Sequence, residues 1–435
     1  MATVRPVQAS PSLAELASAS LRIGCLGFGG PAGQIALMHR VFVEEKRWIS
    51  EDEYLHALNY CMLLPGPEAQ QLATYAGWRL KGVGGGVIAG LLFVLPGALL
   101  VFALTWLYAV WGTVPLVAAL FYGVKAAVIG FIAEALVKVG RRALKGPQDV
   151  ALAAVAFLAL FLFQLPFPLV IALAAGIGLA RSFSQPIPAT VSPSIAPEKA
   201  SGVKALRAAV SWGALWFAPL IAAMVLLGPD HVLSKVGVFF SKLAVLTFGG
   251  AYTVLAYLQQ QAVEAEGWLT APQMIDGLGL AETTPGPLVL VNQFVGFMAG
   301  WQADGGGLWL AAAAALMASW CTFAPSFVWI FAGAPFAEGL RRSRMAAGML
   351  QAVTASVFGI IAKVAVAFGM AVLFQGVFNI SLPWGDDLAL PDPTRPDVLA
   401  IAIAVGAAIA LIRYKANIVL VVAGCAMAGL LSLWV

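Results

Sequence analysis

Charge is what this sequence has least of. Only 11% of its 435 residues are Asp, Glu, Lys or Arg, against about 25% in a soluble domain. That scarcity excludes an ordinary water-soluble fold. Histidine is scarcer still: His39, His56 and His231 are scattered without metal-ligand spacing, so no metal site is expected. The four cysteines, Cys25, Cys61, Cys321 and Cys425, show no CxxC pair and lie in apolar stretches, which reads as buried reduced thiols. No G-x-x-x-x-G-K-[ST] occurs, which excludes a P-loop ATPase. Gly27-Phe28-Gly29-Gly30-Pro31-Ala32 imitates a dinucleotide loop, but no βαβ pattern surrounds it. No nucleophile–base pair or metal cluster is visible, so a membrane enzyme acting on lipid lacks its chemistry. Neither a cofactor nor a nucleic-acid partner is expected. The stretch from Met1 to Pro11 lacks a charged-then-apolar signal with a cleavage site and reads as a cytoplasmic tail.

What is present is apolar. Hydrophobic residues make up 61% of the chain, and mean hydropathy is +0.90. Runs at 87–110, 116–137, 205–227, 346–374 and 417–435 approach or exceed the roughly 20 residues a helix needs to cross a bilayer. Gly86-Val87-Ile88-Ala89-Gly90 is a GxxxG and reads as helix packing within the chain. The expected class is an all-α polytopic membrane protein, its partner the lipid bilayer.

Within this apolar chain, two copies of one pair of tight turns recur at a constant offset, Phe28 against Phe248. The first copy is Phe28-Gly29-Gly30, then Pro65-Gly66-Pro67; the second is Phe248-Gly249-Gly250, then Pro285-Gly286-Pro287. Trp48 and Trp268, and Glu44 and Glu264, match at the same offset. Duplicated helix-breaking turns are a pointer to a transporter's binding site.

Loop charges orient the copies. Arg141, Arg142 and Lys145, and then Arg181, Lys199, Lys204 and Arg207, mark cytoplasmic loops, while loops 112–115 and 164–168 carry no charge. In the second copy the counterpart of loop 112–115 holds Arg341, Arg342 and Arg344. The counterpart of the Arg141 loop holds Asp386, Asp387, Asp392 and Asp397 against one Arg395, and the counterpart of loop 164–168 holds Arg413 and Lys415. Each informative loop changes side, as expected of inverted repeats separated by one extra crossing. The expected organisation is a tail over 1–11, a first repeat over 12–181 and a Pro- and Ser-rich linker over 182–204. A connecting helix over 205–228 and an inverted second repeat over 229–435 follow.

Arms 51–64 and 68–80 flank the first Pro-Gly-Pro turn. At 1.5 Å per residue each reaches only about 20 Å of a core of about 30 Å. With Lys46 and Arg47 before them and Arg79 and Lys81 after, both ends read as cytoplasmic. The turns are therefore expected at the tips of re-entrant hairpins meeting near the midplane, buried in protein or lining a wet cavity. For residues 13–45 a full crossing remains the alternative. Segments 150–163, 167–180, 398–412 and 417–435 are short but read as crossings, giving nine spans and four hairpins.

Pro31, Pro67 and Pro287 are suited to open helices. Glycines beside them allow backbone N–H groups to approach a ligand. Four helix N-termini at about half a charge each sum to about +2, the size of a dianion. Arg22 and Lys242 align, each six residues before its Phe-Gly-Gly; each reads as a binding cation or as a side chain snorkelling to an interface. Lys125, inside an apolar run, is a further candidate for function and for an ion pair. Glu134 aligns with Lys363, and the two read as an ion pair or as separate interfacial charges. Gln34, Gln70, Gln71, Thr74, Thr283, Thr284, Asn292 and Gln293 offer hydrogen bonds to an oxyanion. Glu68 and Glu282 are the acids beside the turns, candidates for proton coupling; for Glu68, capping of a helix start is equally open.

These residues resemble a known family. Gly29-Gly30-Pro31-Ala32-Gly33-Gln34 with Leu64-Pro65-Gly66-Pro67-Glu68-Ala69-Gln70-Gln71-Leu72, and the second-copy Phe248-Gly249-Gly250-Ala251-Tyr252 with Thr284-Pro285-Gly286-Pro287, resemble the chromate ion transporter family in its long-chain form. The resemblance covers nearly the whole chain. It implies chromate export across a bacterial inner membrane driven by ion gradients, as in an antiporter, with sulfate as a related oxyanion. Its motif positions, together with Arg22, Lys242 and Asn292, make up the expected binding set. The second copy departs from the first, with Leu288 for Glu68 and Leu290 and Val291 for Gln70 and Gln71. The site is then expected to draw its polar contacts mostly from the first half. A passive anion channel is the competing reading. The N-terminus is expected in the cytoplasm and the C-terminus in the periplasm, and a homodimer is left open.

Overall fold

The structure is a computed structural model that describes residues 10–183, 202–248, 252–336, 343–381 and 387–434. Helices dominate. In chain order they are α1 (Leu13–Leu26), α2 (Gly30–His39), α3 (Glu51–Cys61), α4 (Glu68–Trp111), α5 (Pro115–Ala143), α6 (Pro147–Phe161), α7 (Phe167–Ser182), α8 (Gly202–Leu227) and α9 (Val232–Leu246). Then come α10 (Tyr252–Leu258), α11 (Ala271–Thr283), α12 (Val291–Gln302), α13 (Leu308–Gly333), α14 (Arg344–Leu373), α15 (Val398–Ile412) and α16 (Ile418–Gly429).

Five of these, α4, α5, α8, α13 and α14, are long and apolar enough to cross a membrane, and four shorter apolar helices accompany them: α6, α7, α15 and Ile418–Leu433. α8 shows the solvent it was built for. Val203, Leu206, Val210, Ile221, Val225 and Leu226 all lie exposed on it, a continuous apolar surface that water would penalise and lipid accepts. The chain is an all-α polytopic membrane protein with one addition. The acidic loop after α14 carries an antiparallel hairpin, β1 (Val377–Ser381) against β2 (Asp387–Pro391), with Val377 opposite Pro391. The sequence reading had 381–397 as an acidic loop, on its aspartates.

Local geometry repeats around Trp48 and Trp268. A π-helical turn at Arg40–Glu45 is matched by one at Gln259–Ala265. Each closes with an identical pair of bonds: Lys46 N–H to Val41 O and Trp48 N–H to Phe42 O, against Glu266 N–H to Gln261 O and Trp268 N–H to Ala262 O. Arg47 and Gly267 both take positive φ, 51° and 61°. Next comes a matched helix start, where Ser50 Oγ accepts the Glu53 N–H at 3.3 Å and Thr270 Oγ1 the Gln273 N–H at 3.4 Å. The S-x-x-E and T-x-x-Q spacings are the capping pattern that ties down first-turn N–H groups.

The described chain forms two compact units, each drawing on both halves of the sequence. Unit 1 comprises Met1–Ala103, Gln185–Gly250 and Thr284–Ala347, and unit 2 comprises Leu104–Ser184, Ala251–Thr283 and Gly348–Val435. In unit 1, α12 lies against α13 at backbone distance. A methyl group on Gly300 would sit 2.6 Å from the Leu310 carbonyl oxygen, and one on Gly296 2.6 Å from Ala318 Cβ. Small residues one turn apart let membrane helices approach closely and gain dispersion contact. Gly86, from the GxxxG seen in the sequence, faces Phe331, and Gly90 faces Thr74 and Phe327, packing within the chain as expected. In unit 2, α5 is clasped by α15 and α16 in the same way, with Gly130 on Ala407 and Gly123 on the Cys425 carbonyl. The first turn of α11 is capped by Thr270, and its Gly279 packs on Val124 of α5.

Candidate functional site

Both Pro-Gly-Pro turns lie in unit 1, and both break helices where expected. Gly66 and Gly286 have φ of 107° and 98°, a left-handed conformation that side chains resist. Each turn is held by the first helix break of the opposite half. The Gly66 N–H donates to Thr247 O at 2.8 Å, and the Gly286 N–H donates to Gly27 O at 3.1 Å. Thr247 is the repeat counterpart of Gly27 and Gly286 that of Gly66, so one contact is made twice.

Two helices with an internal proline complete the exchange. In α4, Gly97 follows Pro96 and meets the second turn, where a methyl group would lie 2.1 Å from the Pro285 carbonyl oxygen. In α13, Ser326 follows Pro325, and its Oγ would lie 3.9 Å from a Cβ on Gly66. Thus Gly97 and Ser326 occupy equivalent places against opposite turns.

This arrangement corrects one expectation. The N–H groups of Gly66 and Gly286 are consumed in holding the tips together and do not face a ligand. α4 begins at Glu68, and Gln71 makes the first intrahelical bond, its N–H reaching Pro67 O at 3.0 Å. N–H groups earlier in a first turn have no acceptor within their helix. Pro67 stands immediately before that helix and Pro31 within the first residues of α2, as expected, whereas Pro287 opens a 3-10 turn, Leu288–Leu290, before α12. Gly29 and Gly30 have φ of 87° and 69°, and an added Cβ at either would meet nothing within 4 Å. Gly249 and Gly250 lie outside the described residues.

Amides crowd these turns. Gln34, Gln70, Gln71, Asn292 and Gln293 are all buried. The Gln34 Nε2 donates to Gly27 O at 3.2 Å and to Gly286 O, so this side chain clamps the second turn. The Gln71 Nε2 donates to Pro65 O at 2.7 Å, the Gln293 Nε2 to Ala98 O at 3.1 Å, and the Asn292 Nδ2 to Thr322 Oγ1 at 3.0 Å. Since Thr322 Oγ1 itself donates to Ala318 O, every one of these NH₂ groups faces an acceptor. The amide orientations follow, and four carbonyl oxygens are left with no hydrogen-bond partner. Gln70 differs from the rest: fully buried, it has neither Nε2 nor Oε1 paired. A buried unpaired amide costs about 1–3 kcal/mol, so its retention calls for a reason other than stability.

The halves are unequal here, as the sequence suggested. Pro285, Gly286 and Pro287 are buried, whereas Pro65 and Gly66 are half-buried. Leu290 packs on Gly286 where Gln71 packs on Gly66. The polar, more open turn is the first.

Cations and acids are placed less simply. Arg22 and Lys242 are both exposed on their helices. Arg22 ion-pairs with Glu45 at 2.7 Å and, among the described residues, makes no bond to a turn residue. Glu68 is half-buried at the start of α4. In unit 2, Glu282 is buried and accepts the Tyr252 hydroxyl hydrogen. The Glu134–Lys363 pair does not form: Glu134 pairs with Lys138 one turn on, at 2.7 Å, and Lys363 pairs with Glu264 at 3.4 Å. Alignment by repeat said which residues correspond, not which helices touch. Lys125 reaches Asp276, 3.9 Å away. Asp276 itself went unnoticed in the sequence, although a lone aspartate inside an apolar helix was signal enough. Among the described residues no cluster of His, Cys, Asp and Glu can hold a metal ion.

Comparison with known proteins gives a consistent picture. A family model described as "Chromate transporter" matches residues 14–179 and 234–430. A "Chromate transport protein" of Pseudomonas aeruginosa is 38% identical over 309 residues, covering 69% of this chain and 70% of that one. A "Probable chromate transport protein" of Synechococcus elongatus is 31% identical over 403 residues, covering 90% and 95%. A "Chromate transport protein" of Cupriavidus metallidurans is 30% identical over 365 residues, covering 80% and 81%. No solved structure matches the chain significantly.

Proposed function

The chain belongs to the chromate transporter family, and from that premise we propose that it is a secondary transporter exporting chromate and sulfate-like tetrahedral oxyanions across a bacterial inner membrane. The observation that carries the reading is Gln70, buried and unpaired at the first turn of α4. It lies behind a turn held open by Gly66 and flanked by Gln71 and Ser326. A helix N-terminus attracts anions through its unpaired N–H groups and partial positive charge. An amide with both ends free adds two further donors and an acceptor. The remaining carbonyl oxygens suit a ligand that arrives hydrated or carrying a proton.

In this reading Gln34, Gly29, Gly30, Pro65, Gly66, Pro67, Pro285, Gly286 and Pro287 shape the site, and Gln71, Asn292 and Ser326 contact the ligand. The re-entrant hairpins and the inversion of the two halves belong to the same proposal. Inversion is supported by the loop charges, and hairpins by the breaks at Pro65–Pro67 and at Lys81–Gly82, where the backbone leaves helical geometry. Arg22 and Lys242 act as surface cations that draw the anion in. Glu68 and Glu282 are the proton-carrying candidates nearest the turns in sequence.

Purified protein in liposomes, given chromate or sulfate and an imposed proton gradient, tests the proposal. Saturable flux that follows the gradient supports it. Flux that neither saturates nor responds to the gradient assigns a passive anion channel instead.

A further inference from the structure

Unit 2 contains a second polar cluster that the oxyanion site does not use. Asp276, in the middle of α11, is buried and keeps only 4% of its surface exposed. One carboxylate oxygen, Oδ2, accepts the Tyr108 hydroxyl hydrogen at 2.8 Å. The other, Oδ1, has no hydrogen bond and faces Lys125 Nζ of α5 at 3.9 Å. Lys125 retains about a quarter of its side-chain surface (26%), so it stands between the buried acid and the outside. Isolated carboxylates and ammonium groups at membrane depth are expensive, and those retained mark ion and proton paths.

Among the described residues the neighbouring charges have partners of their own. α5, α16 and the π-helical turn Gln259–Ala265 pack against α11. From α5 come Lys125 and, further along, Glu134, which is neutralised by Lys138. From the π-helical turn comes Glu264, taken by Lys363. From α16 comes Cys425, whose backbone carbonyl lies against α5 at Gly123. On α11 itself Glu282 is taken by Tyr252. Asp276 and Lys125 are thus each other's counter-ion, with the Tyr108 hydroxyl fixing the carboxylate's orientation.

We propose that Asp276, Lys125 and Tyr108 form a proton-binding site that couples transport to the proton gradient. The deprotonated carboxylate holds Lys125 by charge, joining α5 to α11. One proton from water, added at the unbonded Oδ1, converts carboxylate to carboxylic acid and removes that attraction, freeing Lys125 to turn toward solvent. Loss of the proton restores the pair. Gain and release of one proton therefore switch an ion pair between two helices, a local bistable element of the kind coupling requires. The assignment rests on the transport reading above, and it deepens that reading with a site separate from the oxyanion-binding residues.

The test uses full-length protein in liposomes with sulfate as the probe, in two assays. Exchange of labelled for unlabelled sulfate without a gradient reports binding and carrier movement; uptake driven by an imposed pH gradient reports coupling. The expected result for Asp276→Asn is exchange like wild type with gradient-driven uptake lost and its pH dependence flattened. Retention of gradient-driven, pH-dependent uptake by Asp276→Asn overturns the proposal. Should that variant fail to accumulate in the membrane, Asp276→Glu answers instead. Lengthening the acid toward Lys125 moves the pH midpoint of driven uptake by about half a unit or more, and an unmoved midpoint overturns the assignment. Wild-type protein that exchanges no sulfate or chromate refutes the transport reading itself, an outcome distinct from both.

Discussion

Replacing Gly97 with alanine tests the interlocked turns most directly. The new methyl group would lie 2.1 Å from the Pro285 carbonyl oxygen and 2.8 Å from Leu290 Cδ1. Ordinary contact begins at 3.4 Å, so the second turn must retreat by the difference, 1.3 Å. A turn displaced that far cannot keep both of its ties, the Gly286 N–H to Gly27 O and the Gln34 amide to Gly286 O. Forced overpacking costs about 1–3 kcal/mol, and each lost hydrogen bond about 1 kcal/mol, for a total of about 3–5 kcal/mol. Gly84→Ala, in the same helix, is the control. Nothing lies within 4 Å of its added methyl group, and alanine raises helix propensity by up to about 1 kcal/mol. Heating detergent-solubilised protein and following the surviving monodisperse fraction by size exclusion measures both. Gly97→Ala is expected to melt well below wild type and to lose oxyanion flux, with Gly84→Ala at or above wild type in both. Equal behaviour of the two variants would refute the close approach of α4 to the second turn, and the exchanged-tip argument with it.

Gln70→Leu removes an unpaired buried amide, so it is expected to raise the melting temperature while lowering oxyanion flux about tenfold to a hundredfold; stability and flux falling together would count against a binding role. Gln34→Leu should do the opposite to stability, because it strips the donor from the Gly27 and Gly286 carbonyls, and the same melting assay reads it. Exchanging the charges of Glu264 and Lys363 should restore function lost in the single neutralisations, whereas exchanging Glu134 and Lys363 should not; rescue by the second swap alone would contradict the observed pairing. Single cysteines at Gly112, Gly146, Gly376 and Tyr414, labelled from outside intact cells, should react at Gly112 and Gly376 only, and any other pattern refutes inversion of the halves.

Much of the local structure was legible because it depends on short-range rules. Proline and glycine stop helices wherever they stand, so Pro65–Pro67 and Gly29–Gly30 marked their breaks without tertiary knowledge. The 220-residue correspondence held down to single bonds, as at Trp48 and Trp268. The inequality of the copies was also legible: Leu290 and Val291 against Gln70 and Gln71 behind the two turns is a difference in side chains that backbone repetition does not hide. Membrane location followed from composition, since 11% charge cannot clothe a soluble surface.

Pairing across the fold was not legible. Glu134 and Lys363 aligned well and yet took other partners, because alignment carries no information on which helix faces which. The same limit hid the fate of the tip N–H groups. A glycine beside proline looks like a free donor until the opposite half's carbonyl is seen 2.8 Å from Gly66. Asp276 gains meaning only when α5 brings Lys125 against α11. Sequence alone determined the class, the breaks, the duplication and its imbalance, all consequences of composition and local backbone sterics. Tertiary structure decided which turn ties to which, which amide stays unpaired and which acid meets which base. Those are contacts between residues far apart in the chain, and only packing sets their distances.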